Sequence, residues 1–171
     1  MTTGARDVTL ERMSTLEQTA QPFIDVAHRI VWASVATVDT SNRPRSRVVH
    51  PIWEWDGEQL QGWIATGPTP TKTAHLAHRP YVSVNYWDDQ HDVATAECHI
   101  TWHHDDKTCI RVWDMLKNAP EPVGYDPAMI PVWTEPTQPE FAVLELQPWK
   151  LRVFPGSMLL GGTGEVLDWR A

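Results

Sequence analysis

Between residues 30 and 102 the chain switches repeatedly from short β-branched or alternating runs to clusters of turn formers, and this punctuation constrains the fold more than any other feature. The nearly all-apolar run IVWASVATV (30–38) gives way to the turn residues DTSNRP (39–44), and PRSRVVHPIWEW (44–55) then extends to Asp56-Gly57. Asp-Gly is a strong hairpin signal, and EQLQGWIAT (58–66) alternates Leu60, Gly62 and Ile64 against Gln61, Trp63 and Ala65 as a half-buried strand does. Three successive strands predict a β-meander. YVSVNYW (81–87), the acidic turn DDQHD (88–92) and residues 93–102 supply strands four and five, with Ala94, Ala96, Cys98 and Ile100 on one face. On strand two the same period puts Arg45, Arg47, Val49, Pro51 and Trp53 on one face, opposite Ser46, Val48, His50, Ile52 and Glu54.

Helical signals flank these strands. Leu10, Met13, Leu16, Phe23, Ile24 and Ala27 suit one or two amphipathic pieces broken near Pro22. Between strands three and four, Thr69 can cap a two-turn helix, with Pro70 at its first position and Pro80 beyond its end. A further helix is predicted from His104 or Asp105 to about Leu116, its stripe formed by Ile110, Trp113, Met115 and Leu116. Residues 118–139, rich in proline, predict a long ordered or semi-ordered loop of the kind that is often functional. Residues 141–146 and 149–154 then form a closing hairpin or a bent strand pair, and the Gly-rich tail is mobile unless docked.

A length of 171 residues allows one core, so residues 1–171 are expected to form a single domain: a helical segment (1–29), a strand-rich body (30–154) and a tail (155–171). A net charge of -8 with no long Lys/Arg run argues against a nucleic-acid partner. No stretch approaches the roughly 20 apolar residues of a membrane span, and the N-terminus carries no apolar leader core, so the expectation is a cytoplasmic protein with no membrane partner. Cys98 and Cys109, without CxxC spacing, are expected as buried reduced thiols. Eight histidines fall on different elements without a metal-ligand spacing, so no metal site is expected. There is no serine elbow or Gly-rich phosphate loop. The ten tryptophans suit either core packing or a ligand pocket and oligomer contact.

The order of elements, with ATVDTSNRPRSRVVHPIW as a first hairpin and WIATGPTPTKTAHLAHRPYVSVNYW as third strand, helix and fourth strand, resembles the pyridoxamine 5'-phosphate oxidase-like superfamily of flavin- and deazaflavin-dependent oxidoreductases. The resemblance spans roughly residues 20 to 154. It implies a mainly β (α+β) fold, the FMN-binding split β-barrel with short flanking helices. It also implies an FMN- or deazaflavin-dependent oxidoreductase working on a small-molecule substrate, as a homodimer with the cofactor at the subunit interface. A non-catalytic module for flavin or haem, or a ligand barrel without a redox cofactor, is the alternative.

Carried over residue by residue, the resemblance assigns Arg47 to the cofactor phosphate, with Thr66, Thr71 and Lys72 supplying hydroxyls and a cation, Val48, Val49 and Ala65 adjoining them, and Trp149 and Arg152 approaching late in the chain. Physical chemistry supports the phosphate assignment, because a helix N-terminus offers free N–H groups and its dipole. Taken alone, Arg47 could pair with an acidic neighbour, Lys72 could be a solvated first-turn lysine, Trp149 a core residue and Arg152 a surface one. His50 is readable as a core or a pocket residue, and no residue is assigned as catalytic. Two departures argue against oxidation of pyridoxamine phosphate: Ile52 stands where that enzyme carries a lysine, and its C-terminal Arg-x-His is absent. The PIW ending of strand two is similar to the deazaflavin reductases, and FMN is narrowly preferred.

Overall fold

Thr15 starts the first helix by a reciprocal capping box: its hydroxyl accepts the Gln18 N–H while the Gln18 side chain accepts the Thr15 N–H. The computed structural model describes residues 13–171, so the expected contribution of Leu10 lies outside it. Helix α1 (Leu16–Ile30) is continuous through Pro22, where the sequence predicted a break. Ala20, Phe23, Ile24 and Ala27 form one buried stripe whose packing outweighs the lost hydrogen bond, and Pro22 lies on the half-exposed side. Val31, at φ 70°, ends the helix, so the first strand begins at Ala33 rather than Ile30.

Eight antiparallel strands follow: β1 (Ala33–Val38), β2 (Pro44–Val49), β3 (Ile52–Trp55), β4 (Leu60–Thr66), β5 (Tyr81–Trp87), β6 (Val93–His103), β7 (Ala142–Phe154) and β8 (Leu167–Arg170). Their spatial order is β2-β1-β5-β6-β7-β4-β3, with β8 also paired to β7. β2 and β3 lie at opposite ends of this path yet are joined only by His50 and Pro51, so the sheet must curl into a barrel left open between them. The expected split β-barrel is therefore present, but the predicted meander is not. The sequence's strand two is two strands divided at Pro51, which has no N–H to continue a ladder.

Inside the barrel, Trp53 donates its indole N–H to the Tyr86 hydroxyl at 2.9 Å, and Phe23 of α1 stands edge-on to both rings. On the outside, α3 (Asp106–Asn118), capped by Asp105, packs Cys109, Val112, Trp113 and Leu116 against Ile52, Trp63 and Val143. This face is rotated from the predicted stripe, leaving Ile110 exposed. The proline-rich segment is ordered, with a single 3-10 turn at Pro127–Met129, and seats Val123 and Trp133 in the same cluster. The expected closing hairpin is one long strand, β7, bent where a bulge makes Pro148 face Cys98 and Lys150 face Glu97. The tail is docked: Gly156–Leu159 form a short helix, α4, and β8 pairs with β7.

Candidate functional site

The β1–β2 register places Val35 opposite Arg47 and Thr37 opposite Arg45, so both arginines share the face of buried Val35 and Thr37, as the period of two predicts. They meet different partners there. Arg45, with Arg43, is held by the buried Asp39 carboxylate, whose pKa lies far below the ordinary value because it accepts backbone N–H groups and both guanidinium groups. Among the described residues Arg47 reaches the Thr37 hydroxyl alone, at 2.9 Å. From α2 (Pro70–His78), Lys72 donates to the Thr66 hydroxyl and, at 3.0 Å, to the Gly67 carbonyl.

Arg47, Lys72, Thr37 and Thr66 line one hollow of about 20 Å³ in which the two cations face neutral oxygens. Burial lowers the pKa of each, and the Arg47 charge lowers that of Lys72 further. Among the described residues neither has a carboxylate partner, whereas Arg29, Arg43, Arg45 and Arg111 all do. Thr69 occupies the N-cap of α2, but its side chain makes no capping bond, contrary to expectation, so the first-turn N–H groups are not satisfied by it. Thr71 is exposed in that turn.

The next residues along each strand point the other way. Val48 and Ala65, adjacent to Arg47 and Thr66, line an open cleft of about 540 Å³ that shares Val49 with the hollow. Its other walls include Trp32, His50, Tyr125 and Trp133, the last two carried by the 118–139 loop. The His50 ring lies 5.3 Å from Trp32 and 5.0 Å from Tyr125. Burial, reinforced by neighbouring His28, lowers the His50 pKa, and burial pushes the Tyr125 hydroxyl up to about 12. Among the described residues, no Asp, Glu, Lys or Arg lines this cleft.

Of the residues anticipated from sequence, Arg47, Thr66 and Lys72 converge on the hollow, and Val48, Val49 and Ala65 line the cleft beside it. Trp149 and Arg152 are not brought to either within the chain. Trp149 is the extra residue of the β7 bulge, beneath the Arg170 guanidinium, and Arg152 pairs with Asp168 of β8 at 3.5 Å. Sequence reading missed Thr37, Trp32, Tyr125 and Trp133. The strict alternation of β1 with Arg47's strand could have found Thr37, whereas no local pattern marks the loop aromatics. Cys98 and Cys109 are buried free thiols. Among the described residues no three His, Cys, Asp or Glu side chains cluster as metal ligands, and no helix is long and apolar enough to cross a membrane.

No protein-family model matches the chain, and neither does any curated protein. Solved structures do match its fold. A Clostridium acetobutylicum protein related to general stress protein 26, of the pyridoxinephosphate oxidase family, superposes with TM-score 0.65 at 12% identity, covering 90% of this chain and 95% of its own. A pyridoxamine 5'-phosphate oxidase-related, FMN-binding protein from Nostoc punctiforme gives TM-score 0.59 at 13% identity, covering 85% and 86%. A haem-binding protein from Mycobacterium smegmatis gives TM-score 0.57 at 17% identity, covering 88% of this chain and 57% of that one. The fold is that of the pyridoxamine phosphate oxidase-like split barrels.

Proposed function

We propose that this split-barrel chain holds a phosphate-bearing flavin cofactor, FMN in preference to the deazaflavin coenzyme, and acts as a cytoplasmic oxidoreductase on a small molecule. The observation that carries the reading is the pair Arg47 and Lys72: two half-buried cations, the pKa of each lowered by burial and that of Lys72 also by the Arg47 charge, with no carboxylate partner among the described residues. Such a pair is electrostatically incomplete, and a dianionic phosphate would complete it while taking over the donors now spent on Thr37 and Thr66. Thr71 and the uncapped start of α2 would add a hydroxyl and N–H groups. A flat ring extending from that phosphate would pass Val48, Val49 and Ala65 into the cleft.

When bound, the cofactor supplies the two-electron chemistry that no side chain here offers. The chain's own residues bind its phosphate, wall its ring and restrict what reaches it. The likeness in fold to an FMN-binding protein supports this reading, and the likeness to a haem-binding protein is why haem belongs in the test. Pyridoxamine phosphate is disfavoured as substrate, since the position at which that enzyme carries a lysine is Ile52, buried beneath α3. A homodimer is part of the proposal. Trp149 and Arg152, which contact β8 and line neither cavity in their own chain, are assigned in this reading to a cofactor held across the subunit interface.

The test is titration with FMN, the deazaflavin coenzyme and haem, for the wild type, Arg47→Ala and Lys72→Ala. Each substitution is expected to weaken binding of the preferred cofactor by about 1–3 kcal/mol, as loss of a charge-assisted contact does. Unchanged affinity in both variants would remove the site assignment. Binding of none of the three would favour a ligand barrel without a redox cofactor.

A further inference from the structure

β3 ends the path of strands, so one of its edges has no neighbour in the sheet. Helix α1 packs against β3, and there the backbone N–H of Trp53 donates to Nε2 of His28 at 3.0 Å. A backbone N–H can only donate, so Nε2 presents a lone pair and the single proton of the neutral ring sits on Nδ1. This tie lies just past the seam. His50 and Pro51 join β2 to β3, and Val48, Val49 and His50 line the open cleft immediately before Trp53's strand begins. The Trp53 side chain is held separately by Tyr86 and Phe23, so His28 fixes the backbone at the strand's start.

His28 is half-buried and lines a second cavity, of about 590 Å³, with Asp25 and Arg29 of α1 and Glu121 of the proline-rich loop. Burial lowers its pKa from the ordinary 6.5, against the opposing pull of the Asp25 carboxylate. His50 lies close enough that charge on either ring opposes charge on the other, and the Arg29 guanidinium is held by Asp88 and Asp92 of the β5–β6 turn. The unfolded chain therefore takes up a proton at this residue before the folded chain does. Stability contributed here falls as pH drops through 6.5, and the loss is complete below the folded value. The ring's second proton can enter only at Nε2, where it would set one donor against another at the Trp53 N–H. Protonation and the tie exclude one another.

We infer that His28 is a positioning residue operated by a proton. As a neutral ring it anchors the start of β3 beside the cleft, and on taking a proton it releases Trp53 and loosens the wall at Val49, His50 and Pro51. His28 does not line the cleft itself, so acid acts on that site from behind it. The inference does not depend on what occupies the cleft.

Nuclear magnetic resonance of the isotopically labelled full chain, from about pH 8 to about pH 5, spans the ring's ordinary value and tests this. At the alkaline end Nε2 of His28 should show the shift of an unprotonated nitrogen. Protection of the Trp53 amide, taken relative to the unstructured rate at each pH, should fall about tenfold in acid, the worth of one net hydrogen bond. The fall should trace the curve by which His28 gains its proton, and the Val49 and Ile52 amide shifts should follow it. Val84 and Leu146, buried in the barrel, should keep their protection, which separates local release from unfolding. His28→Gln offers an amide oxygen in the place of Nε2 and does not titrate, so its Trp53 amide should stay protected throughout. Trp53 protection indifferent to the His28 titration overturns the inference, as does a proton on Nε2 at the alkaline end. An acid loss that is as large in His28→Gln, or that Val84 and Leu146 share, overturns it too. The wild-type titration decides the matter even if the variant does not fold.

Discussion

Lys72 illustrates how one side chain can be unfavourable to folding and favourable to binding. Its pKa in the folded protein is depressed from the ordinary 10.5 by burial and by the Arg47 charge, so over the interval between the two values the unfolded chain binds more protons than the folded one. Stability contributed through this group therefore rises as pH rises towards 10.5. Lys72→Met, which keeps the chain length and removes the charge, is expected to raise the thermal midpoint of the cofactor-free protein at neutral pH. The advantage over wild type should shrink as the solution becomes alkaline. Unfolding curves of both proteins across that range check it, and a gap that widens with pH would contradict the electrostatic account. Alternation put Arg47 on the same strand face as Arg45, and Pro70 and Pro80 bounded the helix that carries Lys72, but it was the family resemblance that singled out Arg47, Thr66 and Lys72 as candidate phosphate contacts. That Arg47 lacks the carboxylate that Arg43 and Arg45 enjoy was not recognisable, since Asp39 lies close to all three in sequence and only the turn geometry chooses between them.

At the scale of elements, β4 is the strand on which the barrel's closure depends, lying between β3 and β7 with α3 outside it. Its Gly62 is required by a close approach. A Cβ there would sit 2.7 Å from the Trp53 ring and 3.0 Å from Leu146. Trp53 cannot yield, being wedged against Phe23 and bonded to Tyr86. Gly62→Val is therefore expected to destabilise the fold by about 1–3 kcal/mol or more, as overpacking does, despite the higher strand propensity of valine. Urea denaturation measures it, and an unchanged midpoint would mean that β3 can shift. Most elements were legible because their periods are clean. Several were not: α1 runs through Pro22, the second strand divides at Pro51, β7 runs through Pro148, and α4 and β8 stand where only a Gly-rich tail was expected. A proline weakens a local hydrogen-bond pattern, but whether the chain continues, crosses a seam or bulges depends on the packing on either side of it.

At the scale of the molecule, the outer face of β2, β1 and β5 carries exposed large side chains among small polar ones. The registers bring Ser34, Ser46, Ser83, Asn85 and Val48 to one face, and Tyr81 and Trp87 lie on the same side of β5. Trp32, Val48, Tyr81 and Trp87 are each more than half exposed. Large aromatics around small polar residues are what a subunit contact presents, so this face is the proposed dimer surface. Trp87→Glu combined with Tyr81→Glu should convert a dimer into a monomer in sedimentation, with the circular dichroism of the fold retained. A wild-type protein already monomeric at micromolar concentration would remove the dimer from the proposal.

Local rules carried much of this molecule: alternation put Ala94, Ala96, Cys98 and Ile100 in the core and two arginines on one face, and Asp56-Gly57 marked a real turn. Those properties depend on residues within a few positions of one another, so the linear order holds the information. The strand order, the seam at His50-Pro51, and the meeting of Trp32, His50, Tyr125 and Trp133 join residues up to about a hundred positions apart. Only the folded chain decides these, because each depends on which of several compatible faces buries most apolar surface and leaves fewest polar atoms unmatched.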